Sequence, residues 1–167
     1  MPELEPPDLH HVSAALGWLG LGVAAEAHKE LAKISPANLQ HPSALEARWQ
    51  LAVHEKNWEV ALQIADAEIR ISPADASAWL HRAYALRRVR PGGLVAAWGV
   101  LSVAAKKFPD EPVIAYNLAC YACQMKDLDR AREWFFRAMR LGGKTELKKM
   151  ALADEDLKPL WAELGKL

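Results

Sequence analysis

The sequence predicts an all-α protein built from paired antiparallel helices, and three observations carry that expectation. Prolines recur at Pro36, Pro73 and Pro109, spaced by 37 and then 36 residues. Each closes an alanine-rich amphipathic stretch, where a helix is expected to stop. Turn signals stand midway between them, at Gly20 and Gly22, Lys56-Asn57, Pro91-Gly92-Gly93 and Lys126-Asp127. No segment alternates apolar and polar residues with the period of two that a half-buried strand requires.

Taken in order, the chain reads as four helical hairpins, about residues 6–41, 42–75, 76–111 and 112–145, and a C-terminal segment, 144–167. The first hairpin is the least regular: Ala25 and Ala32 offer small residues seven apart, followed by a long loop, Ala37 to His41. The second carries Trp58, Ala61 and Pro73, with Asn57 suited to accept the orphan amides of a new helix. In the third, Trp79 and Ala83 precede the Arg90-Pro91-Gly92-Gly93 turn, and Ala97, Leu101 and Ala104 follow it. The fourth brings Leu118 and Ala119, then Asp127 as a helix start, then Ala131, Phe135 and Ala138. The large residues Trp58, Trp79, Leu101, Phe135 and Phe136 are expected to fill the space between hairpins. In the last segment Leu147, Met150, Ala151, Leu157, Leu160, Trp161 and Leu164 form apolar stripes, with Thr145 and Asp154 as helix starts and Pro159 in the first turn of the last helix. That segment reads as a cap for the otherwise open face of the fourth hairpin.

These recurring small and large positions resemble the tetratricopeptide repeat, a helix-turn-helix unit of ~34 residues. The resemblance covers roughly residues 8–143 and implies a right-handed α-α superhelix of about four repeats forming one domain over residues 1–167. It also implies that no hairpin is stable alone, since each buries its apolar face against its neighbours. Three positions depart from the repeat. Arg48 and Arg82 stand where leucine is usual, which places them near Glu46, Asp66 or Asp75 for pairing. Trp49 stands where glycine or alanine is usual, so its ring must separate helices or turn outward.

The function implied by the resemblance is protein-protein interaction: an adaptor or scaffold holding a peptide or protein in a concave groove lined by the first helix of each hairpin. Candidate contacts there are His54, His81, Tyr84, Arg87, Tyr116, Asn117 and Gln124. Rings, guanidinium groups and amides of this kind suit an extended peptide and its carboxylates. Asn117 fits an amide slot of the clamps that grip a terminal carboxylate in some members, but the matching asparagines and lysines are missing. The alternative is a structural role, in which copies associate as a homo-oligomer through an apolar edge or through some of the seven tryptophans.

Other classes are disfavoured. Lysine plus arginine equals aspartate plus glutamate, 21 each, so the field that sequence-independent nucleic-acid binding needs is absent. The longest uncharged stretch, Val12 to Ala25, is shorter than the ~20 residues of a membrane span. The acidic start and two cysteines point to a cytoplasmic protein without a disulfide framework. Cys120 and Cys123 fall mid-helix with no second pair and read as packed thiols, so neither a metal nor another cofactor is expected. With no phosphate loop, nucleophile elbow or HExxH, the sequence does not read as an enzyme.

Overall fold

The computed structural model describes residues 3–166 and is helical throughout, with no strand among the described residues. The first helices of the hairpins are α1 (Asp8–Gly20), α3 (Pro42–His54), α5 (Ala76–Leu86) and α7 (Pro112–Gln124). The second helices are α2 (Ala24–Leu31), α4 (Trp58–Ile71), α6 (Leu94–Lys107) and α8 (Leu128–Gly142), and α1 packs on α2, α3 on α4 and α7 on α8. Helix α9 (Lys144–Ala151), a 3₁₀ turn (Glu155–Leu160) and the short α10 (Trp161–Leu164) complete the chain.

The periodicity is tighter than the prolines suggest. First helices begin at 8, 42, 76 and 112, and second helices at 24, 58, 94 and 128. Every step is 34 residues except the two that span the Arg90–Gly93 turn, which are 36. Turn chemistry repeats too. The residue that reverses the chain has positive φ at Gly22, Lys56 and Lys126, and the next hairpin helix then starts from a cap. Asn57 accepts the Val60 amide at 3.3 Å and Asp127 the Arg130 amide at 3.2 Å, as expected of both.

One slot shows why the hairpins close. Ala27, Ala61, Ala97 and Ala131 occupy equivalent places on the second helices and none has any exposed surface. In the first, second and fourth hairpins a methyl group there lets the paired helix approach, whereas a longer side chain would force the backbones apart. This corrects the reading of the first hairpin, where Ala25 and Ala32 are exposed and Ala27 is the packed residue. The short α2 sets a register two residues away from the one inferred. Among the large residues, Leu101 and Phe135 are buried and Trp58 and Trp79 half-buried, but Phe136 is 45% exposed. It directly follows Phe135 and therefore points about 100° away around α8.

Internal contacts gather the chain into two compact units, Met1–Val89 and Arg90–Leu167. The boundary coincides with the turn that lengthens the period. In the first unit, Val12, Ala15, Ala27, Leu31, Ala44, Ala47 and Leu51 join α1, α2 and α3 in one core. A second cluster of Leu45, Ala52, Ala61, Ile64, Ala67 and Ala85 joins α3, α4 and α5. The N-terminus of α1 is tied down by Asp8, a buried carboxylate that accepts the Ser35 hydroxyl, the Asn38 side-chain amide at 2.7 Å and the Ser35 backbone amide at 3.0 Å. Those hydrogen bonds, the Ser35 hydroxyl first, hold the Asp8 carboxyl below its ordinary range.

In the second unit the C-terminal segment packs on α7 and α8. Leu157 and Leu160 are buried and the 3₁₀ turn lies against α7. Trp161 donates its indole N–H to the Ala151 carbonyl at 2.8 Å. Arg132 on α8 grips Glu163 through two nitrogens, each at 2.7 Å, a bidentate geometry that fixes orientation as well as charge. Asp154 caps the 3₁₀ turn through the Asp156 amide, but Thr145 does not start α9. The helix begins at Lys144, after Gly143, whose φ of 92° reverses the chain without a side-chain cap. Pro159 sits inside the 3₁₀ turn, before the last helix.

Candidate functional site

In the first unit the departures from the repeat come together in space. Trp49 lies in α3 at the position equivalent to Ala15, Ala83 and Ala119, all three without exposed surface. An indole cannot fit between paired helices there, and the ring stacks instead on His81 of α5, centroids 3.7 Å apart and planes 14° from parallel. The backbones of α3 and α5 do not approach each other as those of α1 and α3 do. Beside this pair lies a cavity of about 270 Å³ lined by α3, the end of α4 and the start of α5. Leu45, Ile71 and Ala78 form apolar wall, and Glu46, Glu68 and His81 form a polar one. The indole N–H of Trp49 is buried and has no acceptor among the described residues.

On the other side of Trp49 the rings continue. Tyr84 meets Trp49 edge-on at 6.1 Å and Trp58 at 5.9 Å. The Arg88 guanidinium lies 3.6 Å from the Tyr84 ring centroid and 4.9 Å from that of Trp58, and donates to the Tyr84 carbonyl at 2.8 Å. A cation sandwiched this way is attracted by the ring quadrupoles and freezes both rings in place. The sequence placed Tyr84 and His81 on one helix face but could not show that Trp49, Trp58 and Arg88 would join them. The other two departures are less dramatic. Arg82 donates from Nε to Asp66 at 2.7 Å, one of the expected pairings, and Arg48 is half-buried.

The remaining candidates divide by location. His54 is exposed at the end of α3 and Arg87 is half-buried just after α5. In the second unit, Asn117 bonds the Val113 carbonyl of its own helix at 2.9 Å and stays at the surface. Tyr116 lies under the C-terminal segment, and the exposed Gln124 touches it through one hydrogen bond. The Tyr116 hydroxyl donates to Asp154 at 2.9 Å, its ring packs near Phe135, and Gln124 donates to the Asp156 carbonyl at 3.1 Å. Burial, then the neighbouring Cys120 and Asp154, drives the Tyr116 phenol well above its usual range. Cys120 and Cys123 are buried and form no disulfide, and burial raises the Cys123 thiol, which disfavours its thiolate.

The tryptophans are less available than their number suggests. Trp98 and Trp134 pack edge-to-face at 6.4 Å, and only Trp18, at 37%, counts as exposed among the described residues. Among the described residues no helix is long and apolar enough to cross a membrane.

No protein-family model matches the chain, and no curated protein does. Solved structures do resemble it. TTC0263, described as a thermophilic TPR protein in Thermus thermophilus, matches with a TM-score of 0.73 and 17% identity over 95% of this chain and 83% of its own. MamA from Desulfovibrio magneticus RS-1, from residue 41 to its end, matches at 0.68 with 20% identity, covering 83% and 77%. A MamA RS-1 double mutant matches at 0.66 with 19% identity, covering 90% and 80%. The fold is therefore that of the tetratricopeptide-repeat proteins, an all-α arrangement of the α-α superhelix class.

Proposed function

We propose that this tetratricopeptide-repeat chain is a protein-interaction module, a scaffold that receives a peptide or protein on the face built by α3 and α5. The observation that carries this reading is the ring cluster of Trp49, Trp58, His81 and Tyr84 beside an indented surface. Rigid rings held by a guanidinium offer contact area at little cost in conformational entropy. His54 and Arg87 frame the same face with groups able to meet carboxylates and backbone carbonyls. Asn117 offers the equivalent contact in the second unit. Tyr116 and Gln124 serve the groove there only indirectly, since the cap occupies their polar atoms. The repeat fold, whose relatives are commonly scaffolds, agrees with a non-catalytic role.

The test is affinity purification from the native cell, comparing the wild type with a Tyr84→Ala, His54→Ala double variant whose helical content is checked by circular dichroism. Loss of a native partner by the folded variant is the expected result. Retention of every partner would remove this face from consideration. A self-association role is the second reading, favoured by Val95 and Val103, two turns apart on α6 and exposed by 77% and 54%. Mass in solution separates the two: a concentration-independent monomer excludes self-association.

A further inference from the structure

The polar wall of the first-unit cavity has a feature that peptide binding does not explain. Second helices carry, seven residues after the packed alanine, Ala104 and Ala138, and Ile34 follows α2 at the same spacing; all three are buried. In the second hairpin that position is Glu68, 8% exposed. An ionised carboxylate in an apolar slot is costly unless a positive charge or several donors meet it. Among the described residues no lysine or arginine pairs with Glu68 or with Glu46, which faces the same cavity. Both carboxylates converge on His81.

The geometry around that imidazole is asymmetric. Glu68 lies 2.8 Å from Nδ1, a hydrogen bond in which the ring N–H donates to the carboxylate. The opposite nitrogen, Nε2, faces Glu46 Oε2 at 3.7 Å. With Nδ1 carrying the proton, Nε2 presents its lone pair to a carboxylate oxygen, and two acceptors face each other. A metal cation fits between two such acceptors.

We propose that Glu46, Glu68 and His81 form a site for a divalent first-row transition cation, with zinc the best fit to one imidazole and carboxylate oxygens. Donors around tetrahedral zinc at about 2.0–2.2 Å stand roughly 3.3–3.6 Å apart, so the 3.7 Å gap between Nε2 and Glu46 needs little closure. One donor atom from each of the three residues already lies within 4.8 Å of the others. His81 Nε2 and Glu46 Oε2 are the direct ligands, and Gln50 steadies the other Glu46 oxygen at 2.7 Å. Glu68 is the orienting carboxylate behind the ring, which fixes the tautomer and raises the basicity of Nε2. Trp49, stacked on the imidazole, fixes the ring plane. The cavity, with Ser72, Asp75 and Ser77 in its wall, leaves room for water to complete the coordination. Because the ligands come from α3 and α5 and the support from α4, the ion would cross-link three helices and stabilise the first unit.

The experiment uses untagged full-length protein stripped with a chelator, titrated with zinc and with cobalt. Calorimetry, visible absorption of bound cobalt and thermal unfolding are the readouts. One equivalent should bind, raising the melting temperature. Glu46→Gln, at a half-exposed position where the fold tolerates it, should lose at least tenfold in affinity. Glu68→Gln should lose about 10–100-fold, the usual effect of removing a carboxylate behind a ligating histidine. His81→Gln should abolish stoichiometric binding and the cobalt spectrum. No uptake by the wild type would overturn the proposal. Binding that survives both Glu46→Gln and His81→Gln would overturn it as well, because the ion would then lie elsewhere.

Discussion

Leu157→Ala tests whether the C-terminal segment holds the second unit together. Leu157 has no exposed surface and belongs to the 3₁₀ turn that lies against α7. Removing a buried leucine side chain down to alanine costs about 2–5 kcal/mol, with about 3 kcal/mol central where surroundings relax only partly. For a chain of this length each kcal/mol lowers the melting temperature by about 2–4 °C, so a fall of roughly 6–12 °C is expected. Tyr116→Phe probes the same contact by a different force. It deletes the hydroxyl that donates to Asp154, a hydrogen bond to a charged group worth about 1.5–3 kcal/mol. Asp154 keeps its bond to the Asp156 amide at 2.9 Å and a longer one from the Cys120 thiol at 3.6 Å. No orphaned carboxylate results, and the cost falls at the low end of that range. The double variant should be less destabilised than the sum of the two, because both losses act through docking of one segment. Urea and thermal unfolding followed by far-ultraviolet circular dichroism measure all three. A Leu157→Ala effect within about 0.5 kcal/mol, the range of ordinary surface substitutions, would show that the segment does not pack on α7 in solution.

Asp8→Asn should destabilise the first unit at neutral pH but converge with the wild type in acid. The folded Asp8 carboxyl titrates below its ordinary value, its largest cause being the Ser35 hydroxyl. Its contribution is therefore complete above the unfolded value of about 3.9, and is lost as pH falls through the lower folded value. Equal pH dependence of the two proteins, measured by urea midpoints from pH 7 downward, would refute this. Ala61→Leu should cost about 1–3 kcal/mol by overpacking a site with no exposed surface, read from the same unfolding curves. An unchanged midpoint would mean that the α3–α4 hairpin has slack the structure does not show.

The repeat was legible because it is written in small residues and turns, which act locally. Asn57 and Asp127 cap helices for reasons contained in a few neighbouring residues, and the alanines of α4, α6 and α8 recur at a fixed spacing. The first hairpin misled because two alanine pairs, Ala25 with Ala32 and Ala24 with Ala27, offer competing registers on so short a helix. Which one faces inward depends on α1 and α3, not on α2 itself. The sequence puts Tyr116 and Gln124 on α7, yet the C-terminal segment buries Tyr116 and takes a hydrogen bond from Gln124, which stays exposed. A helix wheel shows what a face carries and not what folds back over it.

The exceptions to the repeat are where physical reasoning about function gains most. Trp49 in an alanine slot and Glu68 in an apolar slot each break the local rule that the other hairpins obey, and each alone would weaken packing. They are not independent. The indole that cannot enter the α3–α4 seam stacks on His81, and the carboxylate that cannot remain bare hydrogen-bonds to the same ring. Arg82 adds a third departure one residue along, paired with Asp66. All sit on α3, α4 and α5, while the corresponding positions of the fourth hairpin are leucine and alanines. A sequence under no constraint but folding would fill these places as Leu118, Ala119 and Ala138 do. The second hairpin and the helix that follows it have instead exchanged part of their core for an imidazole held between two carboxylates and an aromatic wall. That exchange makes sense if this face of the first unit binds something the second unit does not.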